Sequence, residues 1–204
     1  MALVNKYDGI IFDYGGVLVQ HQTEEDQRRL AQLAGVPADN FTDLYWATRA
    51  IYDKGELTAA DYWRDLAREA GAPEPDQITI DRLTELDTES WMQFDPAMWE
   101  WVNELRASGR RVAILSNMPR DLGEALRSRT NRLEQFDQVT LSYEINAVKP
   151  EAEIYEHCLE GLNTARERTL FLDDRIENVH GAQLVGIAAQ HFVARDDMLL
   201  RLRS

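Results

Sequence analysis

Four short segments place chemically capable side chains directly after apolar runs. The first, DGIIFDYGGVL (residues 8–18), delivers a carboxylate, Asp13, and then the pair Gly15-Gly16. A carboxylate at the end of a buried strand can attack an electrophile or hold a metal ion. It can equally do no more than cap a turn. The second segment ends in Leu115-Ser116-Asn117, a hydroxyl and an amide that both bind oxyanions, although the pair also suits a polar turn before Pro119. The third carries Lys149, with Pro150 suited to a first helical position. A lysine there offsets phosphate charge and keeps a nearby carboxylate ionised, whereas most lysines are simply solvated. The fourth ends in Leu172-Asp173-Asp174, with Asn178 four residues further on. Adjacent carboxylates repel without a cation, so Asp173 and Asp174 together with Asp13 suit Mg²⁺ and its preference for oxygen ligands. The plainer alternative is an N-cap pair for the next helix.

The elements that must position these residues follow from the apolar patterning. Candidate strands at residues 10–13, 111–116, 138–142, 169–174 and 188–193 alternate with helical patterns, the order expected of an α/β protein with a parallel sheet. Almost a hundred residues separate the first two strands, far more than one crossover helix needs. Within them Phe41, Leu44, Tyr45, Thr48, Ile51 and Tyr52 fall on one helical stripe, and Tyr62, Trp63, Leu66, Ala67 and Ala70 on another. Gly35-Val36-Pro37 and Gly71-Ala72-Pro73 close helices, while Thr58 with Asp61 resembles a capping box. This predicts a helical cap over residues 19–92, inserted into a core of 1–18 and 93–204. The chain re-enters that core at Asp95-Pro96, an N-cap and first-turn pair, and the helix of Met98, Trp101, Val102 and Leu105 ends near Gly109.

Composition narrows the partners. The 204 residues are 44% hydrophobic and 28% charged, which suits one globular core with a smaller second unit. A formal net charge of −14 argues against nucleic acid or anionic membrane as a partner, and an anionic ligand would need a local cation. The first residues lack a charged n-region followed by an apolar stretch, so the expected compartment is the cytoplasm. The single cysteine, Cys158, lies among Ile154, Tyr155, Leu159 and Leu162 on a helix's buried face and reads as packing. The four histidines follow no ligand spacing; His21, close to the Asp13 loop, is a distant candidate proton donor.

Asp13, Ser116, Lys149 and Asp173-Asp174, each after a candidate strand and in this order, resemble the four motifs of the haloacid dehalogenase superfamily. The helical insertion after the first adds to the match. The FD-x-G-x-V and LSN segments are most similar to its small phosphatases, the sugar-phosphatase-like group and the phosphatase domain of bifunctional epoxide hydrolases. The resemblance implies a Rossmann-like core with a five-stranded parallel sheet of order 3-2-1-4-5. It also implies a Mg²⁺-dependent phosphatase that hydrolyses a small phosphorylated metabolite through an aspartyl-phosphate. By position Asp13 is then nucleophile and metal ligand, the Gly15 carbonyl a second ligand, and Asp174 the direct carboxylate ligand. Asp173 binds through water, with Asn178 supporting the cluster from outside. Ser116, Asn117, Lys149 and Gly16 hold the phosphoryl group, and Lys149 neutralises charge.

One departure stands out, because the family's second aspartate, which protonates the leaving group, is here Gly15. A general acid is worth roughly 10²–10⁴-fold. Its loss favours esters with stable leaving groups, such as aryl or anomeric phosphates, or calls on a water or a cap residue. A 2-haloacid dehalogenase and a degenerate phosphate-binding module remain as alternatives. The cap helix with Tyr45, Trp46, Arg49 and Tyr52 offers a substrate aromatic surface and one cation, although an aromatic stripe at helical spacing usually marks burial and most of these residues read as core packing.

Overall fold

In the computed structural model, which describes residues 3–203, the apolar run before Asp13 forms strand β1 (Gly9–Phe12), buried along its whole length. Four more strands follow: β2 (Arg111–Ser116), β3 (Gln138–Leu141), β4 (Thr169–Asp173) and β5 (Ala188–His191). All pair in parallel, in the order β3-β2-β1-β4-β5. Side chains alternate across the central strand. Ile10 and Phe12 join Met98, Trp101, Val102 and Leu126 on one face, while Ile11 joins Ile154, Tyr155, Phe171 and Val179 on the other. Burial on both faces is why β1, β2 and β4 read as continuous apolar runs.

Between β1 and the Asp95-Pro96 turn the described residues form five helices: α1 (Glu24–Ala34), α2 (Ala38–Ala47), α3 (Arg49–Asp53), α4 (Ala59–Glu69) and α5 (Gln77–Ser90). They bury an apolar cluster of their own, with Leu30, Phe41, Tyr45, Trp63, Leu66 and Leu83 at its centre. The two ends of this segment run side by side, since Gln20 donates its N–H to the Gln93 carbonyl at 2.9 Å and Asp95 donates to Leu18 at 3.0 Å. The chain then forms α6 (Pro96–Ala107), α7 (Arg120–Arg129), α8 (Ser142–Ile145), α9 (Ala152–Leu162), α10 (Ile176–Leu184) and α11 (Arg195–Arg203). Among the described residues no helix is long and apolar enough to cross a membrane.

Local signals are reproduced closely. Thr58 and Asp61 form a reciprocal capping box, and Asp95 caps α6 by accepting the Ala97 N–H at 3.0 Å. Cys158 is fully buried on α9, and burial pushes its thiol up to about 12. Two expectations change. The stripe from Phe41 to Tyr52 is two helices, broken at Thr48 (φ −116°, ψ 7°), which turns Ile51 outward to 44% exposure. Pro150 stands in the turn before α9, whose first residue is Ala152.

Candidate active site

The register of the sheet gathers the four segments. Phe12 pairs with Ile114 on one side and with Leu172 on the other, so Asp13, Ser116 and Asp173 emerge together at the carboxyl ends of β1, β2 and β4. Chain connections diverge from β1 there, leaving the crevice in which open α/β sheets bind ligands. A cavity of about 580 Å³ occupies it. Asp13, Gly15, His21, Ser116, Lys149 and Asp174 line it from the sheet, and Trp46, Arg49, Asp53 and Trp91 from the helical segment.

Lys149 is the electrostatic centre. Its Nζ lies 2.7 Å from Asp13 Oδ1 and 2.7 Å from Asp173 Oδ2, with the ammonium almost wholly buried. Burial alone would lower its pKa, but Asp13 and Asp173 carry it above the ordinary lysine value. Burial raises the Asp13 carboxyl well above its usual range; Lys149 opposes this, and Asp173 and Asp174 add to it. Asp13 Oδ1 also accepts the Tyr14 N–H at 2.6 Å.

Asp173 and Asp174 differ in their engagement. Asp173 is fully buried and accepts hydrogen bonds from Lys149 Nζ, from the Arg175 N–H at 2.8 Å, and from Asn178 Nδ2 at 3.0 and 3.1 Å. Asp174 faces the cavity, with Oδ2 3.3 Å from His21 Nε2. That contact raises the His21 pKa above its ordinary value. Ligand oxygens of Asp13, Asp173 and Asp174 lie within 4.8 Å of one another. Three carboxylates thus face one ammonium, and a divalent cation with a preference for oxygen fits this donor set.

Three further sequence-derived residues take more specific places. Ser116 is on the cavity wall, its hydroxyl making only a long contact of 3.4 Å to the Asn117 carbonyl. The Asn117 carboxamide clasps the main chain of Lys149, accepting its N–H at 2.8 Å and donating to its carbonyl at 3.0 Å. Its side chain therefore holds the lysine loop, whereas the sequence reading assigned it to phosphoryl oxygens. Gly16 is not among the residues lining the cavity. The space its side chain would take holds Asp174 Oδ2 and the His21 ring.

Gly15 is covered by an indole: a Cβ built there would stand 3.2 Å from Trp91 Cζ3. Trp91 is fixed by Nε1 donating to Tyr45 Oη at 3.0 Å, and by its carbonyl accepting the Tyr14 hydroxyl at 2.8 Å. Behind it lies a buried network that sequence patterning did not reveal. Arg49 Nε donates to Asp53 Oδ1 at 2.9 Å, and Arg49 Nη1 donates to Asp87 Oδ2 at 2.9 Å and also to Tyr45. Only the i,i+4 spacing of Arg49 and Asp53 signalled it. Of the aromatic residues expected to face substrate, Trp46 does line the cavity, whereas Tyr45 and Tyr52 are buried.

Comparison with known proteins agrees with this geometry. A family model described as haloacid dehalogenase-like hydrolase matches residues 7–186. The sesquiterpene phosphatase astK of Aspergillus oryzae is 28% identical over 185 residues, covering 91% of this chain and 89% of that protein. The D-ribitol-5-phosphate phosphatase of Bacteroides thetaiotaomicron is 25% identical, with 87% of each covered. Among solved structures, a family enzyme from Bacteroides thetaiotaomicron in complex with magnesium and inorganic phosphate superposes with a TM-score of 0.75. It is 19% identical, covering 96% of this chain and all of that one. An L-2-haloacid dehalogenase from Xanthobacter autotrophicus gives 0.70 at 19% identity, covering 96% of this chain and 81% of that one. At these identities the structural likeness is one of fold.

Proposed function

The chain belongs to the haloacid dehalogenase-like hydrolases, and from that membership we propose that it is a Mg²⁺-dependent phosphatase acting on a small phosphorylated metabolite. The observation that carries this reading is Lys149 Nζ held 2.7 Å from both Asp13 and Asp173 beside a third carboxylate. Carbon-centred dehalogenation needs no metal, whereas this acidic cluster favours one. The relatives named as phosphatases of small molecules support the same choice.

In this mechanism Asp13 attacks phosphorus in line, forming an aspartyl-phosphate that water then hydrolyses. Asp13, Asp174 and the Gly15 carbonyl would hold Mg²⁺, which supplies charge neutralisation to the transferring phosphoryl group. Asp173, saturated by Lys149, Asn178 and the Arg175 N–H, supports the cluster electrostatically. Lys149 favours the ionised form of Asp13 against the effect of burial and, with Ser116, receives phosphoryl oxygens. Asn117 positions Lys149. The helices of residues 19–92 serve as a cap whose inner wall meets the leaving group. Gly15 offers no carboxyl for proton transfer, so the proton comes from another group or is not needed.

Release of inorganic phosphate from a panel of sugar, polyol, prenyl and aryl phosphates tests the reading. Activity should require Mg²⁺ and fall by several orders of magnitude in Asp13→Asn. Undiminished turnover in that variant removes the covalent mechanism, and halide release from a 2-haloacid without Mg²⁺ would support the dehalogenase reading instead.

A further inference from the structure

The phosphatase reading leaves the leaving-group proton without a donor, because Gly15 lacks a carboxyl and the Trp91 ring packs 3.2 Å from where its Cβ would stand. A substitute must reach the same cavity from elsewhere and be held as firmly as a residue of the sheet. Two candidates on the wall are otherwise engaged. His21 pairs with Asp174 at 3.3 Å, and Glu177 pairs with Arg175.

Asp53 also carries an ion pair, with Arg49 through Oδ1, but unlike the exposed His21 and Glu177 it is buried. It is the last residue of α3, is 6% exposed and lines the cavity together with Asp13, Ser116 and Lys149. Three consecutive residues lock this point of the helical segment onto the sheet domain. The Tyr52 hydroxyl donates to Asp121 Oδ2 on α7 at 2.8 Å. The Asp53 carbonyl accepts from Ser142 Oγ, which itself accepts the Met118 N–H at 3.0 Å, next to the Ser116-Asn117 turn. Lys54 Nζ pairs with Glu151 at 3.1 Å. The Asp53 main chain is thereby pinned beside the ends of β2 and β3, and Arg49 Nε fixes one carboxylate oxygen at 2.9 Å.

We propose that Asp53 is the general acid and base of the reaction, doing from the helical segment what an aspartate at position 15 would do from the sheet; the assignment rests on the phosphatase reading above. In the first step Asp13 bonds to phosphorus, the bond from phosphorus to the leaving oxygen breaks with its electron pair on that oxygen, and Asp53 transfers its proton there. In the second step a water oxygen bonds to phosphorus, its proton passes to the Asp53 carboxylate, and the bond to Asp13 breaks with the pair returning to Asp13. The products are an alcohol and inorganic phosphate, with both carboxyls restored.

The surroundings suit a carboxyl that must be protonated in one step and ionised in the next. Arg49 faces Asp53 from its own helix, Asp87 from α5 and Lys149 from the sheet domain, with the Tyr45 and Tyr62 hydroxyls, both held neutral by burial, beside Arg49. Burial outweighs Arg49 and lifts the Asp53 carboxyl to about 6, near working pH, where proton transfer in both directions is most effective.

Leaving-group dependence provides the test, because a merely structural role affects all esters alike. In Asp53→Asn, kcat/KM for an alkyl phosphate such as n-butyl phosphate should fall roughly 10²–10⁴-fold, while that for para-nitrophenyl phosphate, whose leaving group needs no proton, stays within about threefold. The nitrophenyl kcat should fall as water attack slows. Asp53→Glu, which retains a carboxyl, should recover part of the alkyl activity. In the wild type, kcat/KM for the alkyl ester should decline above pH about 6 and that for the aryl ester should not. Equal losses on both esters, or no such decline in the wild-type alkyl profile, overturn the assignment, the latter independently of how the variants fold. Asp13→Asn separates the two readings: it should abolish turnover of both esters, and retained activity there would count against the phosphatase mechanism itself.

Discussion

At Gly16 two constraints coincide on one residue. Its φ is +69°, and a Cβ there would stand 2.8 Å from Asp174 Oδ2 and 2.6 Å from His21 Cε1. Gly16→Ala should cost about 1–2 kcal/mol for the left-handed backbone alone and should also displace the Asp174 carboxylate. Urea unfolding with and without Mg²⁺ separates these effects. We expect Mg²⁺ to stabilise the variant less than the wild type, and an unchanged increment would show that Asp174 yields without losing the metal. The same residue illustrates what was legible. Asp13, Asp173 and Asp174 could be read from sequence because each ends an apolar run and emerges with its strand, whereas Lys149, which lies beyond α8, was readable only from its place in the order of the four segments. Asn117 was found but given a different task, since nothing local shows that its carboxamide clasps Lys149. Asp53 and Trp91 were missed because their places depend on how separate helices dock, which no short window records.

Docking of those helices depends on a few polar ties. Besides the contacts of residues 52–54, Glu85 on α5 makes a bidentate pair with Arg129 on α7, both bonds at 2.7 Å. The hydrogen bond from Arg129 holds the Glu85 carboxyl below its ordinary value of 4.5. Its contribution is therefore complete above pH 4.5 and is lost as pH falls through the lowered value. The pair is nearly half exposed, so it contributes only about 0.2–1 kcal/mol. Glu85→Gln should lower Tm at neutral pH, with a difference that shrinks on acidification and with added salt. A difference independent of pH would mean that the loss is one of packing. At this scale the sheet was readable, since strands buried on both faces announce themselves as apolar runs, and so were the helix starts at Thr58 and Asp95. The break at Thr48 was not. Aromatic spacing continues across it, and the turn arises because Tyr45 and Tyr52 must both enter the cluster around Tyr62, while Arg49 reaches Asp53 and Asp87.

The whole molecule carries a formal charge of −14, and its cavity does not reverse that sign. Asp13, Asp53, Asp174 and Glu177 face Arg49, Lys149 and Arg175 on the wall, with His21 beside Asp174. Each of these is already paired with carboxylate: Arg49 with Asp53 and Asp87, Lys149 with Asp13 and Asp173, and Arg175 with Glu177. A phosphate ester thus approaches against the field of the protein, and a divalent cation is the one charge that makes the site attractive to it. Binding of metal and phosphate should then be mutually reinforcing, each raising the affinity of the other by the same factor. The long-range repulsion has its own signature. Salt screens charges beyond about 8–10 Å, so at saturating Mg²⁺ kcat/KM should rise as sodium chloride increases from low to physiological strength, with kcat little changed. This is the opposite of electrostatic steering, in which association slows as salt is added. Steady-state rates across a salt series at fixed pH decide between them. A fall in kcat/KM would show that the metal-loaded site projects a positive field beyond the acidic surface, and would locate attraction at the cavity mouth instead of at the phosphoryl group alone.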